Sequence, residues 1–223
     1  MEKNKLKAII FDLDGVITDS ARYHYLAWKE LADELHIPFD EEYNEKLKGI
    51  SRMESLELIL QNAKQKQSYS EQEKAQMTEQ KNDNYKELIK QITPKDILPG
   101  IMNLLQETRA AGIKIALASV SKNAEFILKQ LEIEAYFDYV ADAASIPNSK
   151  PFPDIFLAGI KAFGLNAEDC VGVEDARAGV EAIHRAGMKA VGVGTANEME
   201  EADLILTTEE LTLRRIKEAF EMV

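Results

Sequence analysis

Two hydrophobic rhythms divide the chain. Residues 7–12, "KAIIFD", contain a short apolar run, ending at Phe11, that predicts a buried strand. From 19 to 92 the spacing is helical, with no clear strand. One helix is predicted from about Ser20 to Leu35, closed by "IPFD". A second starts at "SRME", where Ser51 and Glu54 are spaced as a capping box, and a third at "SEQE", residues 70–73, running to about Gln91. The biased stretch "QNAKQKQSYSEQEKAQ" reads as a loop joined to a solvated helix face. After Pro94 the rhythm alternates. "PGIMNLLQETRAAG", "KNAEFILKQLE", "PDIFLAGIKAFG", "ARAGVEAIHRAG" and "TEELTLRRIKEAF" read as helices, the last opened by a Thr207–Glu210 capping pair. "IKIALAS", "YFDYVAD", "CVGVED", "KAVGVG" and "ADLILT" read as strands between them. Alternation of this kind predicts a parallel sheet covered on both faces. The expected fold is therefore α/β: a Rossmann-like core, residues 1–17 and 93–223, with a helical domain, 18–92, inserted after the first strand.

Charge narrows the partners. The 223 residues carry a net charge of −12, which argues against nucleic acid or an anionic membrane surface. An anionic substrate would need local positive groups or a metal. A lone cysteine, Cys170, allows no internal disulfide and suits a reducing compartment; it reads as inert packing. No stretch approaches a membrane span, and the apolar run ending at Phe11 is too short for a signal-peptide core. A cytoplasmic monomer is expected.

In doubly wound sheets ligands sit beyond the carboxyl ends of the strands. There the sequence puts Asp12 and Asp14, Ser119, and Glu174 with Asp175, while Lys150 lies in the loop "NSKPFPD". Surface loops are polar in any protein. The combination of apolar strands leading into acidic tips is what points to a site. Carboxylates with one lysine and one serine suit a hard divalent cation and a phosphate. Asp12 can be both metal ligand and nucleophile, and Asp14, of the same parity, can serve as general acid and base. Gly15 lets the chain turn and leaves space beside a reacting phosphate. A calcium loop fails on spacing, since glycine is fourth and valine fifth, and no P-loop sequence occurs.

"FDLDGVITDS", "LASVSKN", "SKPFPDIF" and "VGVEDARAG" resemble the four signature segments of the haloacid dehalogenase superfamily of phosphotransferases, and the insertion resembles its helical cap. "YHYLAWKEL", "LKGISRMESLELIL" and "KNDNY" narrow the resemblance to that superfamily's phosphosugar mutases. The resemblance implies a Mg2+-dependent exchange of β-D-glucose 1-phosphate and D-glucose 6-phosphate through an aspartyl phosphate and a bisphosphate intermediate. It implies Asp12 as nucleophile and Asp14 as acid and base, with the Asp14 backbone carbonyl, Glu174 and Asp175 completing the metal site. Ser119 and Lys150 hold the transferring group, and the Lys150–Pro151 bond is expected to be cis. In the cap, Lys48, Gly49, Ile50, Ser51 and Arg52 face the substrate, with Arg52 on the distal phosphate; His24, Trp28 and Lys81 line the site. Val120, Ser121, Lys122 and Asn123 add contacts, Val120 through its backbone. Each has a plainer reading. His24, Trp28, Leu31 and Leu35 share a helical stripe of the kind that is usually core, and Glu174 and Asp175 could cap the next helix. Arg22 stands where an acid is expected. A sugar-phosphate phosphatase, a mutase for another hexose phosphate and a silent phosphosugar-binding protein remain alternatives.

Overall fold

The computed structural model describes residues 5–47, 50–63 and 68–221. It divides into two compact units, Ser20–Ile92 and the flanking Met1–Asp19 with Thr93–Val223. Among the described residues no helix is long and apolar enough to cross a membrane.

The inserted unit holds α1 (Ala21–Glu34), α2 (Glu41–Glu45), α3 (Arg52–Gln61) and α4 (Glu71–Ile89). The long pair, α1 and α4, pack together, and α3 packs on α4. Trp28, Leu31, Ile37, Phe39, Leu56 and Ile59 form the core of this unit. Both spaced serine–glutamate pairs are capping boxes. The Glu54 amide donates to Ser51 Oγ at 3.3 Å while the Ser51 amide donates to the Glu54 carboxylate at 2.8 Å; Ser70 and Glu73 repeat this at 3.3 and 2.7 Å. The segment "IPFD" does more than close α1: Asp40 caps α2, accepting from the Tyr43 amide at 2.8 Å.

The flanking unit carries β1 (Ala8–Phe11), α5 (Ile101–Ala110), β2 (Lys114–Leu117), α6 (Ala124–Gln130), β3 (Tyr139–Val140), α7 (Asp154–Phe163), β4 (Cys170–Glu174), α8 (Arg177–Arg185), β5 (Lys189–Val193), β6 (Leu204–Leu206) and α9 (Leu213–Glu221). The six strands make one sheet in the order β3-β2-β1-β4-β5-β6, every pair parallel, as the alternation predicts. Alternation along each strand sorts the side chains to two faces. Ala8, Ile10, Ala116, Cys170 and Ala190 meet Ile155, Phe156 and Ile160 of α7 and Val180 and Ile183 of α8. The opposite face is covered by α5 and α9. One expectation is corrected here. Thr207 and Glu210 cap a short 3-10 turn, Thr208–Glu210, and not the closing helix. Buried Leu211 leaves the helical backbone at ψ 96°, and α9 starts afresh at Leu213.

Helix ends show a repeated device. In α1 the His36 amide reaches the Asp33 carbonyl and the Ile37 amide that of Ala32; in α6 Glu132 and Ile133 do the same with Lys129 and Leu128. This is the Schellman pattern, which puts one residue in the left-handed region. Gly112 and Gly187 fill that place after α5 and α8, but His36 (φ 55°) and Glu132 (φ 58°) are not glycine. Relief of the left-handed strain at exposed Glu132 outweighs the entropy glycine adds to the unfolded chain. Glu132→Gly is expected to raise stability by about 0.5–1 kcal/mol and the thermal midpoint by about 1–3 °C. A lower midpoint in a thermal melt would contradict this reading of the cap.

Candidate active site

The sheet register delivers the first group. Phe11 pairs with Leu117 on one side and Val173 on the other. The next amide, that of Asp12, donates to the Val173 carbonyl at 2.9 Å, and the Ala118 amide donates to the Phe11 carbonyl at 2.7 Å. Asp12 thus stands where the strand order reverses, level with Glu174, the last residue of β4. The loop before α7 brings Lys150 between them. Its ammonium lies 2.5 Å from Asp12 Oδ1 and 2.8 Å from Glu174 Oε2, and its side chain is 0% exposed. The Lys150–Pro151 bond is cis. Burial opposes the charge on Lys150, but Asp12 and Glu174 together hold its pKa above the ordinary value. Burial, reinforced by the Asp12 charge, pushes the Glu174 carboxyl well up despite the lysine.

Asp12 Oδ2 accepts from the Asp14 amide at 3.0 Å, so both carboxylate oxygens have partners. Past Asp12 the chain tightens: the carbonyl of fully buried Leu13 accepts from the amides of Val16, Ile17 and Thr18. Gly15 sits at φ 72°, and a Cβ there would meet Asp175 Oδ2 at 2.1 Å. The missing side chain at Gly15 therefore leaves room for the Asp175 carboxylate, and the positive φ is the turn that the sequence predicts. Asp12, Glu174 and Asp175 each offer an oxygen within 4.8 Å of the others, the one such group among the described residues. All donors are hard oxygens, which fits a divalent cation. The Asp14 carboxylate is not in this group; the family resemblance assigns its backbone carbonyl instead.

Beyond β2, buried Ser119 Oγ accepts from the Ser121 amide at 3.1 Å, and Ser121 Oγ from the Asn123 amide at 3.3 Å. This ladder turns the chain into α6. Val120 packs partly on the sheet core, and Lys122 is exposed.

In the helical unit a second polar cluster forms. Lys81 Nζ lies 2.8 Å from His24 Nδ1, 4.8 Å from the Trp28 ring centre and 4.6 Å from that of Tyr85. His24 stacks on Tyr85 at 4.0 Å. Burial, then the positive charges of Lys81 and Arg52, hold the His24 pKa well below its ordinary value. The neutral ring accepts from Lys81 through Nδ1. Aromatic faces accommodate the buried ammonium. Arg52 donates to Asn82 Oδ1 at 2.8 Å. Ser51 caps α3, Ile50 packs on the unit's core, and Trp28 belongs to that core. Lys48 and Gly49 lie outside the described residues. Sequence reasoning assigned no role to Tyr85, although Lys81 and Tyr85 share the i, i+4 spacing of one helix face.

The chain matches the haloacid dehalogenase-like hydrolase family over residues 6–187. It is 48% identical over 217 residues to a β-phosphoglucomutase of Bacillus subtilis (strain 168), covering 97% of this chain and 96% of that one. A crystal structure of β-phosphoglucomutase from Clostridium difficile superposes with a TM-score of 0.94 at 49% identity, over 96% of this chain and 97% of the other. A phosphorylated carbohydrates phosphatase of Thermotoga maritima is 28% identical over 90% of both chains.

Removing the lysine exposes the charge conflict it resolves. Lys150→Met is expected to destabilise the metal-free protein by about 3–5 kcal/mol near neutral pH, because two buried carboxylates lose their counter-charge. A carboxyl whose folded pKa is raised adds stability as pH falls through that value, so the deficit should shrink toward pH 4.5, the ordinary glutamate value. Urea unfolding of both proteins across this range measures it; a deficit independent of pH would contradict the account.

Proposed function

The chain belongs to the haloacid dehalogenase-like hydrolase family, and from that premise we propose that it interconverts β-D-glucose 1-phosphate and D-glucose 6-phosphate. The observation that carries this reading is the 48% identity to a β-phosphoglucomutase, which runs through both units and not the sheet unit alone. In the proposed reaction an Asp12 oxygen attacks the phosphorus of β-glucose 1,6-bisphosphate. The bond to the sugar oxygen breaks, and Asp14 protonates the departing oxygen. In the reverse sense Asp14 takes the proton from a sugar hydroxyl as that oxygen attacks the aspartyl phosphate. The bisphosphate formed from glucose 1-phosphate turns end for end and returns its other phosphate to Asp12, leaving glucose 6-phosphate.

Lys150, the cation nearest Asp12, and Ser119 are proposed to hold the transferring phosphoryl oxygens. Asp12, Glu174, Asp175 and the Asp14 carbonyl are the proposed ligands of Mg2+, which when bound offsets phosphoryl charge. In the helical unit Arg52 is the proposed holder of the non-transferring phosphate, since its planar fork matches two phosphate oxygens. His24 and Lys81 are proposed to line the sugar's site, and a cytoplasmic monomer is part of the proposal.

A phosphatase is the second reading, favoured by the Thermotoga relative and by a core chemistry that water could also complete. One assay separates the two: β-glucose 1-phosphate, Mg2+ and a trace of bisphosphate, with glucose 6-phosphate and free phosphate followed together. The mutase reading expects glucose 6-phosphate to form much faster. Faster accumulation of free phosphate would transfer the assignment to the phosphatase. Arg52→Ala is expected to cut mutase turnover far more than phosphorylation of the protein by acetyl phosphate, which has no distal phosphate to hold. Equal loss of both would place Arg52 in the fold or in the phosphoryl-transfer step.

A further inference from the structure

Gly179 lies in the first turn of α8, where its amide bonds to the Ala176 carbonyl at 3.0 Å. It is not among the glycines with positive φ, so its backbone would accept any residue. A glycine inside a helix is also destabilising relative to alanine. The need for glycine lies in space. A Cβ at 179 would stand 2.0 Å from Cδ, 2.2 Å from Cγ and 2.3 Å from Oε1 of Glu174. Gly172 and Gly159 are crowded too, but their near neighbours are Ile183 and, for Gly159, Ile10 and Ala116: ordinary packing of helix on sheet. At Gly179 the neighbour is a carboxylate of the candidate site.

Glu174 has nowhere to yield. It is 1% exposed, and its carboxylate is tied to Lys150 at 2.8 Å, which is tied in turn to Asp12. We infer that Gly179 is a positioning residue: the side chain it lacks is a slot that seats the Glu174 carboxylate against Lys150 and beside Asp12 and Asp175. Any larger residue must turn Glu174 off the lysine or lift the first turn of α8 from β4. The slot stands on geometry. Its consequence for a cation rests on the proposed reading of Glu174 as a metal ligand.

The test is a double-mutant cycle on the metal-free protein, with a separate calorimetric titration by Mg2+ alone. Gly179→Ala should lower the thermal midpoint when Glu174 is present. With Glu174→Ala the slot is empty, and the same change should leave the midpoint unmoved or raise it through better helix propensity. In the single variant, Mg2+ affinity should fall roughly 10- to 100-fold, the range seen when a residue orienting a ligand is lost. An equal drop of the midpoint in both backgrounds overturns the inference, since Gly179 would then serve helix packing alone. Should Glu174→Ala not fold, a crystal structure of Gly179→Ala decides: a Glu174 carboxylate displaced from Lys150 supports the slot, and one still in place overturns it. A wild-type protein that binds no Mg2+ sinks the metal reading instead, and the metal-free cycle still decides the slot.

Discussion

A lysine ammonium buried between two carboxylates is the constraint on which this sheet edge depends. Removing three charges from water costs several kcal/mol per ion, and mutual attraction repays this only when the geometry is good. The arrangement is therefore a poor way to gain stability and a good way to fix charged groups in one geometry. Three chain segments must meet for it to exist. Asp12 and Lys150 are 138 residues apart, Lys150 and Glu174 another 24. The strand order brings β1 and β4 side by side, and their register sets Asp12 level with Glu174. The tight turn after Asp12 supplies a backbone amide to its second oxygen. The carboxylates of Asp12, Glu174 and Asp175 then converge within 4.8 Å, an all-oxygen donor set that fits a divalent cation.

Much of this edge was legible in the sequence because apolar strands that end in acids are a strong signal. Asp12 and Glu174 each end an apolar run, Asp14 and Asp175 stand just beyond them, and Lys150 lies in the loop "NSKPFPD". What escaped was decided by space rather than by pattern. Gly179 in "ARAGVE" looks like a weak helix position until Glu174 is seen to occupy the place of its Cβ. Gly15 makes the turn that its place after the strand predicts, but that its missing Cβ leaves room for Asp175 shows only in the fold. The Thr207–Glu210 pair has the spacing of a helix start, yet burial of Leu211 ends the turn after one round. Left-handed Glu132 gave no signal, since glutamate does not mark a helix end.

The helical unit shows how one stripe can serve two purposes. Trp28 and Leu31 are core, as the periodicity alone suggests. His24, one turn earlier, belongs with Lys81 and Tyr85. The Lys81 ammonium lies against His24 Nδ1 and the faces of Trp28 and Tyr85, so the stripe's polar end and its apolar end meet at one cluster.

The central claim is that Asp12 accepts the phosphoryl group. Acyl phosphates are reduced by borohydride, which converts a phosphorylated aspartate to homoserine. Protein loaded by acetyl phosphate with Mg2+, quenched, reduced with tritiated borohydride and mapped by peptide sequencing should carry homoserine at position 12 alone. Label at 14 or 175, or no label in protein that turns over glucose phosphate, would contradict the account.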